Sequence, residues 1–463
     1  MDMASALVWG MNEFCGASLG DVRRGMRAAR MAAGMLCDVG SAVSSSCGGS
    51  GAQAVSRLFD REEVTEASML SKHIQRTVER TNGQQKGRIL VVQDTTVLDF
   101  SARSNISGLG HTSMNGGSGI LMHSALVMNE EKLPLGVLGL RLWTRDNETI
   151  GIGRKTKVRH TVDKESAKWL WGLNQVRTQL AGVGREIVLI GDRESDMYDL
   201  FADLRPSHVH ILARISNNRL VRVDGNLDKQ VKIFDALDAS PVIGSYELEL
   251  PKEKRTANLD VRHLRVVLNP PKGYKLANSG SVMVWVVDIR EKDAPAGVEP
   301  LHWRLMTSLY AGSLSECLYI ANCYTVRWSI EEFHRTLKTG CKVERLQLER
   351  VSRLRPAIAL YCVVAYQVMY LTRYARSNPE APVTNVATED ERETVESWVR
   401  MNRFATYSVQ TASDYVRGIG FIGGFRGRKN DGEPGMQAIW QGLRNLTNLV
   451  SGRKIERLRA ART

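Results

Sequence analysis

The sequence predicts an α/β protein in which a mixed sheet with flanking helices carries a β-strand insertion, between helical N-terminal and C-terminal segments. Two observations predict the sheet: the runs RILVVQD and REIVLIGD are short, β-branched and almost continuously apolar, as are strands covered on both faces. A third predicts the insertion, because alternating apolar and polar runs recur between about 209 and 310.

Three domains follow from this pattern: a helical segment over 1–70, a central α/β segment over 71–375 and a helical segment over 376–463. The second boundary is placed at a polar stretch containing two prolines, which is typical of a linker. Between Asp192 and Glu331 the chain is far longer than a sheet-to-helix connection requires, which again predicts an inserted subdomain at about 209–310.

Each of the two predicted central strands ends in an aspartate, Asp94 and Asp192. Sheets of this kind place functional groups at the carboxyl ends of their strands. If the strands are neighbours, both carboxylates emerge at one edge of the sheet. A structural role is the alternative for each residue: Asp94 could be hydrogen-bonded in the turn DTT, and Asp192 could cap the following helix.

A polar series further along the chain has helical spacing: Tyr324, Arg327, Glu331 and Lys338. On one ideal helix these positions fall at roughly 0°, 300°, 340° and 320°, a stripe no wider than about 60°, whereas Glu332 lies about 100° away from Glu331. A carboxylate flanked by two cations and a phenol suits metal-dependent chemistry on a phosphodiester. The alternative is a solvated face with an ordinary Arg327–Glu331 ion pair.

Combined, Asp94, Asp192 and Glu331 can form a three-carboxylate cluster. Mg²⁺ prefers hard oxygen ligands, and a pair of metal ions can activate an attacking oxygen while stabilising the leaving one. Such a centre requires no covalent protein nucleophile.

Composition agrees with a polyanionic partner, since 63 Lys and Arg against 50 Asp and Glu give a net charge of +13. The 7 cysteines are odd in number, with no Cys-x-x-Cys pair, which favours a reducing compartment without structural zinc. Since no apolar segment reaches about 18 residues and no signal peptide is evident, we expect a soluble cytoplasmic protein without membrane partners.

Near the N-terminus, Asp21 is a predicted N-cap for a helix whose arginines share one face. Arg23, Arg24 and Arg27 would neutralise DNA phosphates there while alanines and methionines are buried; solvated surface arginines are the alternative. The Ser- and Gly-rich segment at 44–54 is expected to be a flexible turn that could contact the DNA backbone.

Two glycine-rich stretches do not support a nucleotide cofactor. The stretch at 105–119 lacks the phosphate-loop pattern and precedes a predicted strand, so we interpret it as a hairpin connection. The fragment GIGRKT at 151–156 lacks the third glycine of a dinucleotide fingerprint.

The quoted motifs resemble those of a known family. VVQDTT at Asp94, GDRESDMY at Asp192 and the series from Tyr324 to Lys338 resemble the DDE motif and Y-R-E-K signature of bacterial insertion-sequence transposases, the family of the transposon Tn5 enzyme. Shorter similarities, LGDVRR, NPPKG and GFIGGF, extend the resemblance along the chain, although the glycine-rich loop and the C-terminal segment are only loosely similar.

The resemblance implies an RNase H-like catalytic core with Asp94, Asp192 and Glu331 as ligands of two Mg²⁺ ions, for which Mn²⁺ would substitute. It also implies that residues of the series contact transposon-end phosphates, and that the N-terminal segment recognises the end sequence. The C-terminal segment would be a dimerisation domain. The residues of the series that would contact these phosphates are Tyr324, Arg327 and Lys338.

Trp303 lies 21 residues before Tyr324, the position that matches the family's base-stacking tryptophan. Stacking suits a base flipped out during hairpin formation. The alternative is a strand tryptophan packed in the core, as Trp285 shows to be ordinary.

The expected function is therefore cut-and-paste transposition. A homodimer would bind terminal inverted repeats, cut with Mg²⁺ through a hairpin intermediate, and transfer 3′ ends into target DNA. Two alternatives stay open: a structure-selective RNase H-like nuclease that cuts without joining, and a domesticated transposase that acts as a DNA-binding regulator.

Overall fold

In this computed structural model, the chain forms two compact units. Unit 1 comprises Met1–Gln85, Thr95–Arg154 and Ile330–Thr463, and unit 2 comprises Lys86–Asp94 and Lys155–Ser329. The residues that the structure describes are 3–40, 51–103, 105–113, 116–146, 164–250, 253–271, 280–429 and 431–460. Residues 44–50 of the predicted flexible turn, the GIGRKT fragment and the end of NPPKG lie outside the described residues.

The N-terminal part of unit 1 is helical, as predicted. The helices are α1 (Met3–Phe14), α2 (Val22–Cys37), α3 (Gly51–Phe59) and α4 (Glu66–Asn82). Asp21 caps α2 by accepting a hydrogen bond from the backbone N–H of Arg23, which confirms the predicted N-cap. Residues 51–54, predicted as part of a flexible turn, begin α3 instead, so that part of the prediction is wrong.

Four strands follow: β1 (Ile89–Asp99), β2 (Gly110–Ser113), β3 (Gly116–Met128) and β4 (Pro134–Trp143). β2 and β4 both pair antiparallel with β3, all within unit 1. The glycine-rich stretch is thus a hairpin connection that supplies β2 itself. β3 and β4 are buried along almost their whole length, which explains the continuous apolar run ILMHSALVM.

Unit 2 continues with α5 (Ala167–Gln179), β5 (Ile187–Gly191), α6 (Tyr198–Ala202) and β6 (Val209–Arg214). The N-terminal half of β1 pairs in parallel with β5, and β5 pairs in parallel with β6. The two apolar runs that end in aspartates are therefore neighbouring parallel strands.

The insertion is a set of antiparallel strands. It contains β7 (Leu220–Val223), β8 (Asn226–Lys232), α7 (Ile233–Asp238), β9 (Gly244–Leu250), β10 (Arg255–Leu268), β11 (Val282–Lys292) and β12 (His302–Thr307). The order is β6-β12-β11-β10-β7-β8, with β9 beside β10. The strands predicted in this stretch are present, but β7, β8 and α7 were missed; β8 is almost wholly exposed and carries no apolar alternation.

The segment with the polar series is not one continuous helix, so that prediction is wrong. α8 (Leu314–Thr325) ends before Arg327, α9 (Trp328–Arg335) begins after it, and a π-helical turn over Thr336–Gly340 follows. At the break, backbone N–H groups bond three residues back instead of four, for example Arg327 N to Tyr324 O at 3.0 Å. Tighter i→i+3 bonds interrupt the 100° rotation that the helical wheel assumes.

The chain then returns to unit 1 for its remaining helices. These are α10 (Val351–Ser377), α11 (Glu389–Asn402), α12 (Ala412–Ile422) and α13 (Met436–Ala460). α10 is long and apolar enough to cross a membrane, but 83% of its apolar window is buried inside the protein, as in a core helix.

The linker predicted after residue 375 is only partly irregular, because α10 ends at Ser377 and α11 already begins at Glu389. The first boundary, at residue 70, falls inside α4. The three-domain division stays a prediction.

Candidate active site

Asp94 lies on β1, and Asp192 directly follows β5, the adjacent strand of unit 2. The parallel register ends with the pair Val92–Ile190, so each aspartate lies two residues beyond the last pair. Adjacent strands are about 5 Å apart. The strands are neighbours, as the prediction required, and the meeting of the two carboxylates stays a prediction.

Asp94 is not at the end of its strand, however, because β1 continues to Asp99. The residues after Asp94 are Thr95, Thr96 and Val97, which are β-branched and favour an extended backbone. The prediction that the strand closes at Asp94, and the alternative of a DTT turn there, are both wrong.

Asp192 has the capping geometry that the sequence allowed as its alternative role. Its Oδ1 accepts a hydrogen bond of 2.8 Å from the backbone N–H of Glu194, at the start of the short 3₁₀ turn Arg193–Ser195. Since a carboxylate has two oxygens, this cap occupies one of them. Capping therefore orients the side chain and does not exclude metal binding.

Burial raises the pKa of Asp192 above its usual range. The hydrogen bond from Glu194 N–H and the charges of Arg327 and Lys168 lower the pKa, but they do not compensate fully for the lost hydration. The nearby Glu194 carboxylate raises it further. Additional positive charge at this carboxylate would therefore be stabilising.

Arg327 connects the two aspartates to Tyr324 within unit 2. Its Nη1 lies 3.6 Å from Asp94 Oδ2, and its guanidinium carbon lies 5.9 Å from the centre of the Tyr324 ring. The Tyr324 side chain is buried, and burial raises its pKa while Arg327 and Arg214 oppose the rise. Tyr324 and Arg327 thus lie together beside the aspartates, although on opposite sides of the helix break.

Three more residues of unit 2 line this region and were missed by the sequence reasoning: Arg214, Lys168 and Glu194. Arg214 is the last residue of β6, and its Nη2 donates a 2.9 Å hydrogen bond to the carbonyl of His302. Lys168 is buried at the start of α5 and its Nζ donates to Glu194 Oε2 at 2.7 Å. Only Glu194 had a signal, because it lies within GDRESDMY.

Glu331 lies in the first turn of α9, in unit 1, and is exposed. The next residue, Glu332, is half-buried and forms an ion pair with Arg373 of α10. Within the described ranges, no group of three or more His, Cys, Asp or Glu is arranged to hold a metal ion.

Lys338 lies in the π-helical turn of unit 1. Its Nζ donates a 2.8 Å hydrogen bond to the Val97 carbonyl and lies 3.4 Å from Glu344 Oε1. Nearby His334 is buried against Ser124, whose Oγ lies 2.8 Å from its Nε2. Burial lowers the pKa of His334 to about 3, so its imidazole is neutral at physiological pH.

Trp303 is half-buried on β12, in register with Ile289 of β11. Since side chains alternate along a strand, it projects from the face opposite to that of its neighbours His302 and Arg304. Trp285 on β11 is also half-buried, and its ring contacts those of His263 and Tyr310 at centroid distances of 5.5 and 5.2 Å.

The N-terminal arginines differ from one another. Arg23 and Arg27 are exposed on α2, and Arg23 forms a side-chain ion pair with Asp21 at 2.9 Å. Arg24 folds back onto its own chain, where Nη1 donates to the Leu19 carbonyl at 2.6 Å and lies 3.5 Å from Glu63. Arg23 and Arg27 are thus presented to solvent, while Arg24 mainly supports the local structure.

The donor set in unit 2 fits a divalent metal. Asp94 and Asp192 supply hard oxygen ligands at one edge, and the raised pKa of Asp192 indicates that positive charge there is incompletely supplied by the protein. Within unit 2, these two carboxylates are the residues that would hold a metal ion.

Two family models match the chain. Residues 172–366 match a transposase DDE domain, and residues 363–462 match a Tn5 transposase dimerisation domain. Asp192, Glu331 and the Y-R-E-K positions lie inside the first match, and Asp94 lies before it. The protein is therefore a DDE transposase, an enzyme of a class that acts on DNA with divalent metal ions.

The second match narrows the assignment. The dimerisation domain that it describes covers α11 to α13, the helices that the sequence analysis assigned to dimerisation. The chain belongs to the DDE insertion-sequence transposases of the Tn5 type, with an RNase H-like catalytic core, and it forms a homodimer.

Proposed function

We propose that this transposase moves its element by a cut-and-paste mechanism. It would bind the terminal inverted repeats, cleave by Mg²⁺-dependent hydrolysis, form hairpins by attack of the freed 3′ hydroxyl on the opposite strand, and join the 3′ ends to target DNA. The observation that carries the proposal is the parallel pairing of β1 with β5, the two adjacent strands that lead to Asp94 and Asp192.

Asp94 and Asp192 would bind two Mg²⁺ ions between them, and Glu331 would complete one site. Bound there, the ions would activate the attacking oxygen and stabilise the leaving one. The cap on Asp192 Oδ1 holds that carboxylate in one orientation, so the protein presents a prearranged ligand.

Tyr324, Arg327 and Lys338 would contact phosphates of the transposon end. Arg327 already lies 3.6 Å from Asp94, so a phosphate bound by its guanidinium would be close to the ligands of the metal. Arg214, which lies beside Tyr324, would add a further cation to the same phosphates.

Trp303 would stack on the base that leaves the duplex when the hairpin forms. Its partial exposure supports this role, because a stacking platform must present one ring face. Arg23 and Arg27 would neutralise phosphates at the inverted repeat. The expected location of the protein is the cytoplasm of a bacterial cell.

The test uses the purified full-length protein with Mg²⁺ and linear DNA that carries the element's own ends. Wild type, Glu331→Gln and the exposed control Glu349→Gln are compared, and products are resolved on a denaturing gel. We expect hairpin-ended fragments and joined products from wild type and from the control, and neither from Glu331→Gln.

Two other results would overturn the proposal in different ways. Nicked or cut products without hairpins or joining would indicate a nuclease on the same core. Specific binding of the ends without any cleavage by wild type would indicate a DNA-binding regulator.

A further inference from the structure

We propose that Glu344 is a positioning residue for Lys338: it fixes the ammonium group against β1 in the orientation needed to contact DNA. The inference rests on the proposed role of Lys338 as a phosphate contact. All the residues that carry it lie in unit 1.

Lys338 has one hydrogen-bond acceptor and one ion-pair partner. Nζ donates to the carbonyl of Val97 at 2.8 Å, and Glu344 Oε1 lies 3.4 Å away as an ion-pair partner. The lysine and glutamate side chains are 32% and 27% exposed, so the contact is partly shielded from water. An ammonium has three hydrogens, so the one donated to Val97 leaves two that can reach a phosphate.

Glu344 is itself fixed by the strand that carries Val97. The same oxygen, Oε1, accepts a hydrogen bond of 2.9 Å from the backbone N–H of Asp99. Glu344 therefore connects the π-helical turn to the C-terminal half of β1 through one atom. This bridge spans 245 positions in the sequence.

The turn that carries Glu344 is also held in place. Lys342 precedes it with φ +55, a left-handed conformation that only surrounding contacts maintain in a residue with a long side chain. Val343 is fully buried, and Arg103 Nη2 donates to the Arg345 carbonyl at 2.9 Å. These contacts make the Glu344 side chain a rigid partner.

This arrangement matters because a lysine side chain is long and flexible. A lysine free to sample many rotamers would contact a phosphate only part of the time, whereas one held by Val97 and Glu344 is prearranged for it. The negative charge of Glu344 near DNA would otherwise be unfavourable, since it repels phosphates.

A charge effect and a positioning effect of Glu344 therefore predict opposite changes in the rate of cleavage by Glu344→Ala. If Glu344 acts only as a nearby charge, its removal tightens DNA binding and cleavage is at least as fast. If it positions Lys338, binding is as tight or tighter, but cleavage within the complex is slower. The two readings separate when binding and cleavage are measured independently.

The experiment uses the full chain and DNA with the element's ends. Binding is measured in EDTA over a range of salt, and cleavage is measured in single-turnover reactions started with Mg²⁺. The variants are Glu344→Ala, Glu344→Gln, Lys338→Ala, the double variant, and Glu349→Ala as a control with the same charge change at an exposed site. Thermal unfolding of each variant reports on its folding.

We expect Glu344→Ala to slow cleavage about tenfold without weaker binding in EDTA. Glu344→Gln should recover most of the rate, because its side-chain carbonyl can still accept from Asp99 N–H. In the Lys338→Ala background, Glu344→Ala should change the rate by less than about twofold, since the residue that it positions is absent. Glu349→Ala should behave like wild type.

Equal effects of Glu344→Ala in both backgrounds, or an unchanged cleavage rate with Lys338 present, would overturn the inference. If Glu344→Ala unfolds, Glu344→Asp is compared in the same two backgrounds, because its carboxylate keeps the charge but is one methylene shorter; a cleavage rate equal to that of wild type would overturn the inference. Failure of the proposed function is recognised separately, because then wild type does not cleave or Lys338→Ala cleaves as fast as wild type.

Discussion

Two aspartates of unit 2, Asp192 and Asp288, lie in contrasting surroundings. Asp192 lies at the sheet edge, where burial raises its pKa and the surrounding cations compensate only in part. Asp288 lies in the middle of the inserted sheet and is fully buried, yet it is surrounded by basic side chains. If Asp192 is a metal ligand as proposed, one residue type serves a functional and a structural role in the same unit.

The surroundings of Asp288 come from the strand register. Asp288 on β11 lies between Arg262 on β10 and Arg304 on β12. Its carboxylate oxygens lie within 3.9 Å of Arg262, 3.6 Å of Arg290 and 3.6 Å of Arg304, and 2.6 Å from Nε2 of His302. Cross-strand neighbours of opposite charge stabilise a sheet, and here they enclose one carboxylate.

We expect the same difference to distinguish a metal ligand from a structural carboxylate. Asp288 already lies among three arginines and a histidine, so a further cation would add little there. Asp192 is desolvated and its neighbouring cations compensate only in part, so a further cation would stabilise it.

The strongest test of the comparison is Asp192→Asn. We expect DNA cleavage to fall about 1,000-fold or more, because a ligand charge is lost, while the midpoint of thermal unfolding stays equal or rises. The rise would follow because an amide is less costly to bury than a carboxylate and can still accept from Glu194 N–H. Single-turnover cleavage and thermal melting measure the two effects.

A marked drop in the unfolding midpoint of Asp192→Asn would contradict the comparison, because it would make this aspartate a structural residue. Asp94→Asn serves as the companion variant at the neighbouring strand. It should lose cleavage to a similar extent.

Asp288→Ala should have the opposite effect to Asp192→Asn: a large loss of folding free energy. Removing the carboxylate leaves Arg262, Arg290 and Arg304 facing one another in a partly buried site, and breaking a buried ion pair in this way costs about 3–5 kcal/mol of folding free energy. Urea unfolding followed by tryptophan fluorescence would measure it. A loss of less than about 1 kcal/mol would show that the cluster is not structural.

Glu13 extends the comparison to unit 1 through its pH dependence. Burial raises the pKa of this carboxyl group, but the His73 and Arg80 side chains outweigh burial and lower the pKa to about 2, from an ordinary value of 4.5. Because the folded-state pKa is depressed, the associated stability is fully present above about pH 4.5 and is lost as the pH falls toward 2. The linkage corresponds to about 3 kcal/mol.

The measurement is the free energy of unfolding of wild type and Glu13→Gln at several pH values. The advantage of wild type should be constant above pH 4.5 and should shrink below it. A constant difference down to pH 2 would argue against the depressed pKa. His73 contacts Glu13 and is present in both proteins. In Glu13→Gln it lacks the neighbouring carboxylate, so the pKa of His73 also differs between the two proteins.

The smallest effect is expected at Asp224, which lies 3.4 Å from Arg265 in the inserted sheet of unit 2, with side chains 41% and 47% exposed. Asp224→Asn should change the free energy of unfolding by less than about 0.5 kcal/mol, because water screens exposed pairs. Urea unfolding under the conditions used for Asp288→Ala gives a direct contrast. A larger loss would mean that burial does not explain the importance of Asp288.

Much of the site could be predicted because it depends on short sequence runs. The apolar, β-branched runs before Asp94 and Asp192 specify buried strands. Whether the two strands are neighbours was left as a condition, and their parallel pairing meets it. The N-cap at Asp21 and the buried face of α2 were equally local signals.

The parts that could not be predicted depend on geometry that periodicity does not contain. A helical wheel cannot show that the backbone switches to i→i+3 bonds at Arg327 or to a π-turn at Lys338. Nor can it show that Lys338 contacts Val97, which lies 241 positions away in the sequence. Lys168 carried no motif and is recognised only from its position beside Glu194.

The helix α10 has a practical consequence for engineering this protein. The two family matches overlap at residues 363–366, inside a helix of 27 residues, about 40 Å long, most of which is buried. A chimera spliced at the overlap would cut through a packed core and expose apolar side chains on both fragments. Exchange of the dimerisation module between relatives should therefore use a junction after Ser377, where the helix ends.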